Sequence, residues 1–162
     1  NTKKFELSEQ YKKELLDWYG KVINSTCKLK VVKKEDDKNI ILQELSALIE
    51  IGRFYFPNID KKDGFGKEKP SAYQGYRHIA LDFLVLIYDI GKNDSSYQYI
   101  NRIEEMQRQF TSIVFDVVSP NERIKFVKQY TNIIIPKGKS IEDFIVSDRT
   151  DTEIRTIFEY YK

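Results

Sequence analysis

The sequence predicts an irregular all-α bundle of about six helices with one long ordered loop, residues 52–77. Three observations predict it. Apolar residues recur at three- and four-residue steps in separate segments along the chain. The breaks between them carry helix stop and start residues, such as the run Asn93-Asp94-Ser95 and the run Ser119-Pro120-Asn121-Glu122. And 41% hydrophobic with 32% charged residues is a globular composition with a heavily charged surface.

Ser8, followed by Glu9 and Gln10, is a helix start, and Tyr11, Leu15, Trp18, Tyr19, Val22 and Ile23 share one face of that first helix. It is expected to reach about Leu29, although Cys27, Leu29 and Val31 alternate with lysines and leave a short extended piece open. Residues 33–38 are a charge run read as a solvated turn. Ile41, Leu45, Leu48 and Ile49 then mark a second helix ending near Gly52, with Pro57 beyond the stop.

A third helix carries Ile79, Phe83, Leu86, Ile87 and Ile90, with Leu81, Leu84 and Val85 widening the stripe, so it is expected at the centre. Gly91 and residues 93–95 break the chain before a fourth helix with Ile100, Ile103, Phe110, Ile113, Val114 and Val117. Ser119 is placed to cap a fifth, with Pro120 at its first position and Glu122 reaching back. That helix carries Ile124, Val127 and Tyr130. Ile133, Ile134 and Ile135 are β-prone but few. A short helix around Ile141, Phe144 and Ile145 and a last one with Ile154, Ile157, Phe158 and Tyr161 complete the chain. No linker interrupts the series, so residues 1–162 read as one domain.

Composition excludes several functions. With 27 basic and 25 acidic side chains the net charge is +2, too small a field to coat DNA. One cysteine, Cys27, permits no intramolecular disulfide and fits a reducing, cytoplasmic compartment. It is expected in the core rather than as a nucleophile, since no paired base accompanies it. The longest apolar stretch, residues 79–90, falls short of the roughly 20 residues that span a bilayer. The first residue is Asn1, so the chain is expected to be a piece of a longer protein.

Residues 52–77 differ from the rest. They hold four of the seven glycines and two of the four prolines, and a helical domain rarely keeps so long a connection without a use for it. Aromatic Phe54, Tyr55, Phe56, Phe65, Tyr73 and Tyr76 interleave with Arg53, Lys61, Lys62, Lys67, Lys69 and Arg77. An EF-hand is rejected because Ile59, Lys61 and Pro70 fall where oxygen ligands are needed. Gly64-Phe65-Gly66 is too short for a dinucleotide fingerprint, and no phosphate-loop motif exists. His78, the single histidine, is read as a surface or capping group. Arg53 is expected to pair with Glu50 or Asp82 at a helix end. Neither catalytic residues, nor metal ligands, nor a cofactor are expected.

The candidate binding residues are therefore Arg53, Tyr55, Asn58, Tyr73, Tyr76 and Arg77. The favoured function is a non-enzymatic cytoplasmic module that binds a protein partner, or itself, at this loop. The alternatives are an anionic ligand or single-stranded RNA held by the loop's rings and lysines, with nucleic acid disfavoured, or an enzyme of unidentified class. The same stretch carries a resemblance. Leu45-Ser46-Ala47-Leu48-Ile49 running into Gly52-Arg53-Phe54-Tyr55-Phe56-Pro57-Asn58, then Tyr73-Gln74-Gly75-Tyr76-Arg77 and Leu81-Asp82, resembles a segment of uncharacterised bacterial membrane-associated proteins, over about residues 41–90. The resemblance implies no activity. It implies a cytoplasmic helical part tethered to the inner face of the membrane by a segment before Asn1.

Overall fold

The computed structural model describes residues 2–118 and 121–130, with side chains for 8–118 and 123–127. Among the described residues all of the regular structure is helical: α1 (Thr2–Val31), α2 (Glu35–Gly52), α3 (Ile79–Asn93), α4 (Tyr99–Val118) and α5 (Asn121–Tyr130). Internal contacts divide the chain into two units, Asn1–Val118 and Ser119–Lys162, and α5 belongs to the second. The all-α class is as expected, but five helices are described rather than about six. The segments around Ile133, Ile141 and Ile154, and the Ser119-Pro120 cap, lie outside the described residues.

Within the first unit α1 packs on α2, α2 on α3, α3 on α4 and α4 back on α1. Neighbours run antiparallel: Trp18 Nε1 donates to the Leu48 carbonyl (2.9 Å) while Lys28 meets Glu44 (3.8 Å). The Tyr19 and Thr111 hydroxyls bond at 2.9 Å, and Tyr99 donates to the Leu29 carbonyl (2.9 Å). Tyr99 also sits beside Lys38, whose ammonium lies 5.3 Å from its ring centre. The core between the helices is Leu15, Trp18, Val22 and Leu29 from α1, Leu42 and Leu45 from α2, Leu81, Leu84 and Ile87 from α3, and Ile103, Phe110 and Val114 from α4.

α3 is therefore one of four sides rather than a central helix. Its stripe is wide because its neighbours flank it on two sides, and Ile79 and Leu86 still face out. Four boundaries also differ. α1 starts at Thr2, so Ser8 lies inside the helix rather than at its start. α1 is continuous from Thr2 to Val31, with no extended piece, because residues at helical spacing stay buried through Leu29. α2 begins at Glu35, inside the charge run, since Glu35, Asp36 and Asp37 in a first turn complement the positive end of the helix dipole. Gly91 is helical and buried, not a break. A Cβ there would come within 2.7 Å of Leu29 Cδ2 and 3.0 Å of Leu42 Cδ2, so the missing side chain lets α3 approach α1 and α2. Among the described residues no helix is long and apolar enough to cross a membrane.

Candidate functional site

The connection from α2 to α3 spans residues 53–78 and stays at the end of the bundle where Trp18, Gly52 and Leu81 meet. α2 ends in tight turns: the Tyr55 and Phe56 N–H groups both donate to the Gly52 carbonyl (3.0 and 2.8 Å). That turn drops Phe56 into the core against Trp18 and against the His78 ring, 4.9 Å away. Tyr55 lies over Trp18 at 5.6 Å, and the Tyr11 hydroxyl donates to its carbonyl (2.7 Å). Both aromatics anchor the loop from below.

Beyond them Ile59 and Tyr76 exchange two backbone hydrogen bonds, each 2.8 Å, in an isolated antiparallel bridge that closes the neck of the loop. Gly75 makes the closure feasible. Its φ of 77° is left-handed, and a Cβ would collide with the Ile59 carbonyl oxygen. Inside the neck short 3-10 turns form at Lys61–Asp63 and Ser71–Tyr73. They are stitched by Gly75 N–H to the Phe65 carbonyl (2.9 Å), Lys61 Nζ to the Ser71 carbonyl (3.0 Å), and Gln74 Nε2 to the Lys67 and Lys69 carbonyls (3.3 and 2.9 Å).

This stitching leaves a cleft of about 620 Å³ between the loop and the ends of α2 and α3. It is lined by Arg53, Asn58, Phe65, Lys69, Pro70, Tyr73, Gly75, Tyr76, Arg77 and Asp82. Five of the six residues expected at a site thus converge on one cavity: Arg53, Asn58, Tyr73, Tyr76 and Arg77. Tyr55 does not, because its ring is spent on Trp18 and Tyr11.

Two ladders form the walls. In one, the Arg53 guanidinium lies 4.4 Å from the Tyr73 ring centre, its Nε donates to Glu50 (3.3 Å), and its Nη1 donates to Asn58 Oδ1 (3.4 Å). The Tyr73 hydroxyl closes the set on the other Glu50 oxygen (2.6 Å). That bond, more than the arginine, holds the Glu50 carboxyl below its usual range, and it raises the Tyr73 phenol. In the other, Phe65 and Tyr76 stack at 4.6 Å and 5°, with Lys69 Nζ 5.6 Å over Phe65. Arg77 meets Asp82, one turn into α3, through Nε at 2.6 Å. Arg53 pairs with Glu50, as one of its two expected partners, and Asp82 is taken by Arg77 instead.

His78 caps α3, as its position predicts: its Nδ1 accepts the Ala80 N–H at 3.0 Å. Burial pushes its pKa down, against a smaller upward pull from Asp82. With Nδ1 occupied it is a poor base for the cleft. Cys27 is exposed rather than in the core, because it falls just off the buried Val22–Ser25–Leu29 line of α1. Among the described residues no three His, Cys, Asp or Glu side chains gather as metal ligands.

Sequence reasoning missed Phe65, Lys69 and Asp82 as lining residues. For Phe65 and Lys69 the only signal was membership of the aromatic and basic alternation, and what selects them is the loop's turn pattern; Asp82 lies in the first turn of α3 and enters through its pair with Arg77. A second cleft, about 700 Å³, lies at the α3 to α4 turn, where Asp94 accepts from the Ser96 N–H (2.8 Å) and from Arg102 (2.6 Å). The bonds from Ser96, ahead of Arg102, hold the Asp94 carboxyl below its usual range. Arg102 is taken by Asp94, and Asp89 and Glu105 complete a charged lining with a surplus of two acids. Compared with family models, curated proteins and solved structures, the chain matches none.

Proposed function

We propose that this domain is a non-enzymatic recognition module that binds a protein partner through the cleft over α2 and α3, taking an anionic group of that partner between Arg53, Lys69 and Arg77. The observation that carries the reading is the stitched loop. Hydrogen bonds across residues 59–76, with the bonds of Arg53 to Glu50 and Asn58 and of Arg77 to Asp82, hold three cations and three partly exposed rings around one concavity before any ligand arrives, which lowers the ordering cost of binding. The cleft lies within the size range of ligand pockets, about 300 to 1,000 Å³. Its charged lining is three cations against Asp82, a surplus of two. Following the resemblance over residues 41–90, the module works on the cytoplasmic side of a membrane, tethered through a segment before Asn1.

The test is a panel of immobilised short peptides with an aromatic residue flanked by Asp and Glu, by a phosphorylated side chain, or by Lys and Arg. The anionic peptides are expected to bind and to weaken steeply between low and moderate salt, and the basic ones to stay free. The variant Lys69→Glu/Arg77→Glu is expected to abolish binding at an unchanged melting temperature. Equal binding of all peptides, or of none, would refute the reading.

A further inference from the structure

We infer that the group this cleft takes is a phosphate monoester on an aromatic or apolar body, received between Lys69 and Arg77. The inference rests on the recognition reading above and names its ligand. The two arginines of the lining already hold carboxylates, Glu50 on Arg53 and Asp82 on Arg77. A carboxylate arriving from a ligand would bring no more charge than those two, and exchanging one exposed ion pair for another of the same kind gains almost nothing. A phosphate monoester carries about −1.5 to −2 charges at neutral pH with three strong acceptor oxygens, so it can span two cations without displacing Asp82.

Lys69 supplies the cation with no acid in reach: none of the ion pairs among the described residues includes it, and its ammonium lies over Phe65. Its place is fixed by the backbone, because its N–H donates to the Gly66 carbonyl (2.9 Å) and its carbonyl accepts from Gln74. Arg53 is less available, with its side chain 14% exposed against 41% for Arg77. The parallel Phe65 and Tyr76 rings line the same cleft as the two cations, offering an apolar wall for whatever carries the phosphate.

The experiment titrates the isotopically labelled protein with phenyl phosphate, benzoate and inorganic phosphate at pH 7.5, following backbone amide signals. Phenyl phosphate is expected to shift Phe65, Lys69, Gly75 and Arg77 and to bind at least tenfold more tightly than benzoate or inorganic phosphate. Because the second phosphate proton titrates near pH 6, binding is expected to weaken as pH falls from 7.5 to 5. Lys69→Gln should cost tenfold or more, and Lys69→Arg should restore most of it. Benzoate binding as tightly as phenyl phosphate, or Lys69→Gln binding normally, would overturn the inference.

Two further probes separate the sources of the phosphate. A phosphotyrosine peptide that binds more tightly than phenyl phosphate puts the group on a protein partner, and a nucleoside monophosphate that does so puts it on a soluble metabolite; either supports the inference. Should phenyl phosphate bind while no anionic peptide does, the phosphate site stands and the protein-partner reading falls. Should acidic peptides bind and phenyl phosphate not, the reverse holds.

Discussion

The four-helix body and the loop over its end are held by different forces. The body buries Leu, Ile, Val, Phe and Trp side chains from four helices against one another, a non-directional attraction that tolerates exchange of similar shapes. The loop between Arg53 and His78 buries one large apolar side chain, Phe56, and is otherwise shaped by directional bonds: the Ile59–Tyr76 bridge, the Gln74 amide and the Glu50–Tyr73–Arg53 set. Burial sets the global stability, whereas directional bonds set a shape. A change in the loop should therefore open the loop alone, and a change in the body should unfold the molecule.

The largest expected effect tests the body. Phe110 is fully buried on α4, with its ring edge-on to Trp18 at 5.7 Å and stacked on Tyr19 at 5.8 Å. Phe110→Ala is expected to destabilise the whole first unit by about 3 to 5 kcal/mol in urea unfolding. Hydrogen exchange should then rise in α1, α2, α3 and α4 together. Faster exchange confined to α4 would mean that the body is not one cooperative unit.

Gly75→Ala should be the mirror image. An L residue at φ 77° costs about 1 to 2 kcal/mol, and the Cβ displaces the Ile59 carbonyl from the bridge. Exchange is expected to rise at Ile59, Tyr76 and the residues between, with the melting temperature of the body nearly unchanged. A fall as large as that of Phe110→Ala would erase the distinction between the two regions.

The same distinction explains what could be read from the sequence. Helical periodicity marks burial, so Leu15, Leu45, Leu84 and Phe110 were legible, as were four helices of the first unit. Where local chemistry and tertiary approach compete, legibility failed. Gly91 reads as a breaker because isolated glycine weakens helices, yet contact with Leu29 and Leu42 keeps it helical. Residues 35–37 read as a turn, although acidic residues also suit a first helical turn. In the loop, composition pointed to the segment, and Arg53 and Arg77 were legible as its ends. That Tyr55 turns inward while Lys69 and Phe65 line the cleft depends on turns at Gly64, Gly66 and Gly75, which periodicity does not report.

Ser25 sharpens the comparison from within the body. It lies on the buried face of α1 beside Val22 and Leu29, and its hydroxyl meets no partner among the described residues. Burying a hydroxyl without a hydrogen bond costs about 1 to 3 kcal/mol by mutational measures. Ser25→Ala is therefore expected to raise stability by about 1 kcal/mol, the gain that a region held by burial should show. A lower melting temperature would give that hydroxyl a directional role like those in the loop.

The smallest effect lies at the junction of the two regions, where His78 caps α3 and packs on Phe56. Its Nδ1 can accept the Ala80 N–H only when unprotonated, and burial lowers its pKa from 6.5. The folded state thus binds this proton less readily than the unfolded chain. The cap's contribution is full above about pH 6.5 and declines as pH falls toward the lower folded value. The melting temperature is expected to drop slightly from pH 7.5 to 5.5. His78→Asn, which keeps an N-cap acceptor without a titrating ring, should flatten that drop while changing stability at pH 7.5 by less than about 1 kcal/mol. Glu50 is depressed in the same sense, so its contribution is lost only below about its ordinary value of 4.5, in a separate acid window. If exchange at the start of α3 rises between pH 7.5 and 5.5 while the loop bridge stays protected, the cap belongs to the body. Joint opening of Ile59 and Ala80 in that window would instead assign His78, with Phe56, to the loop.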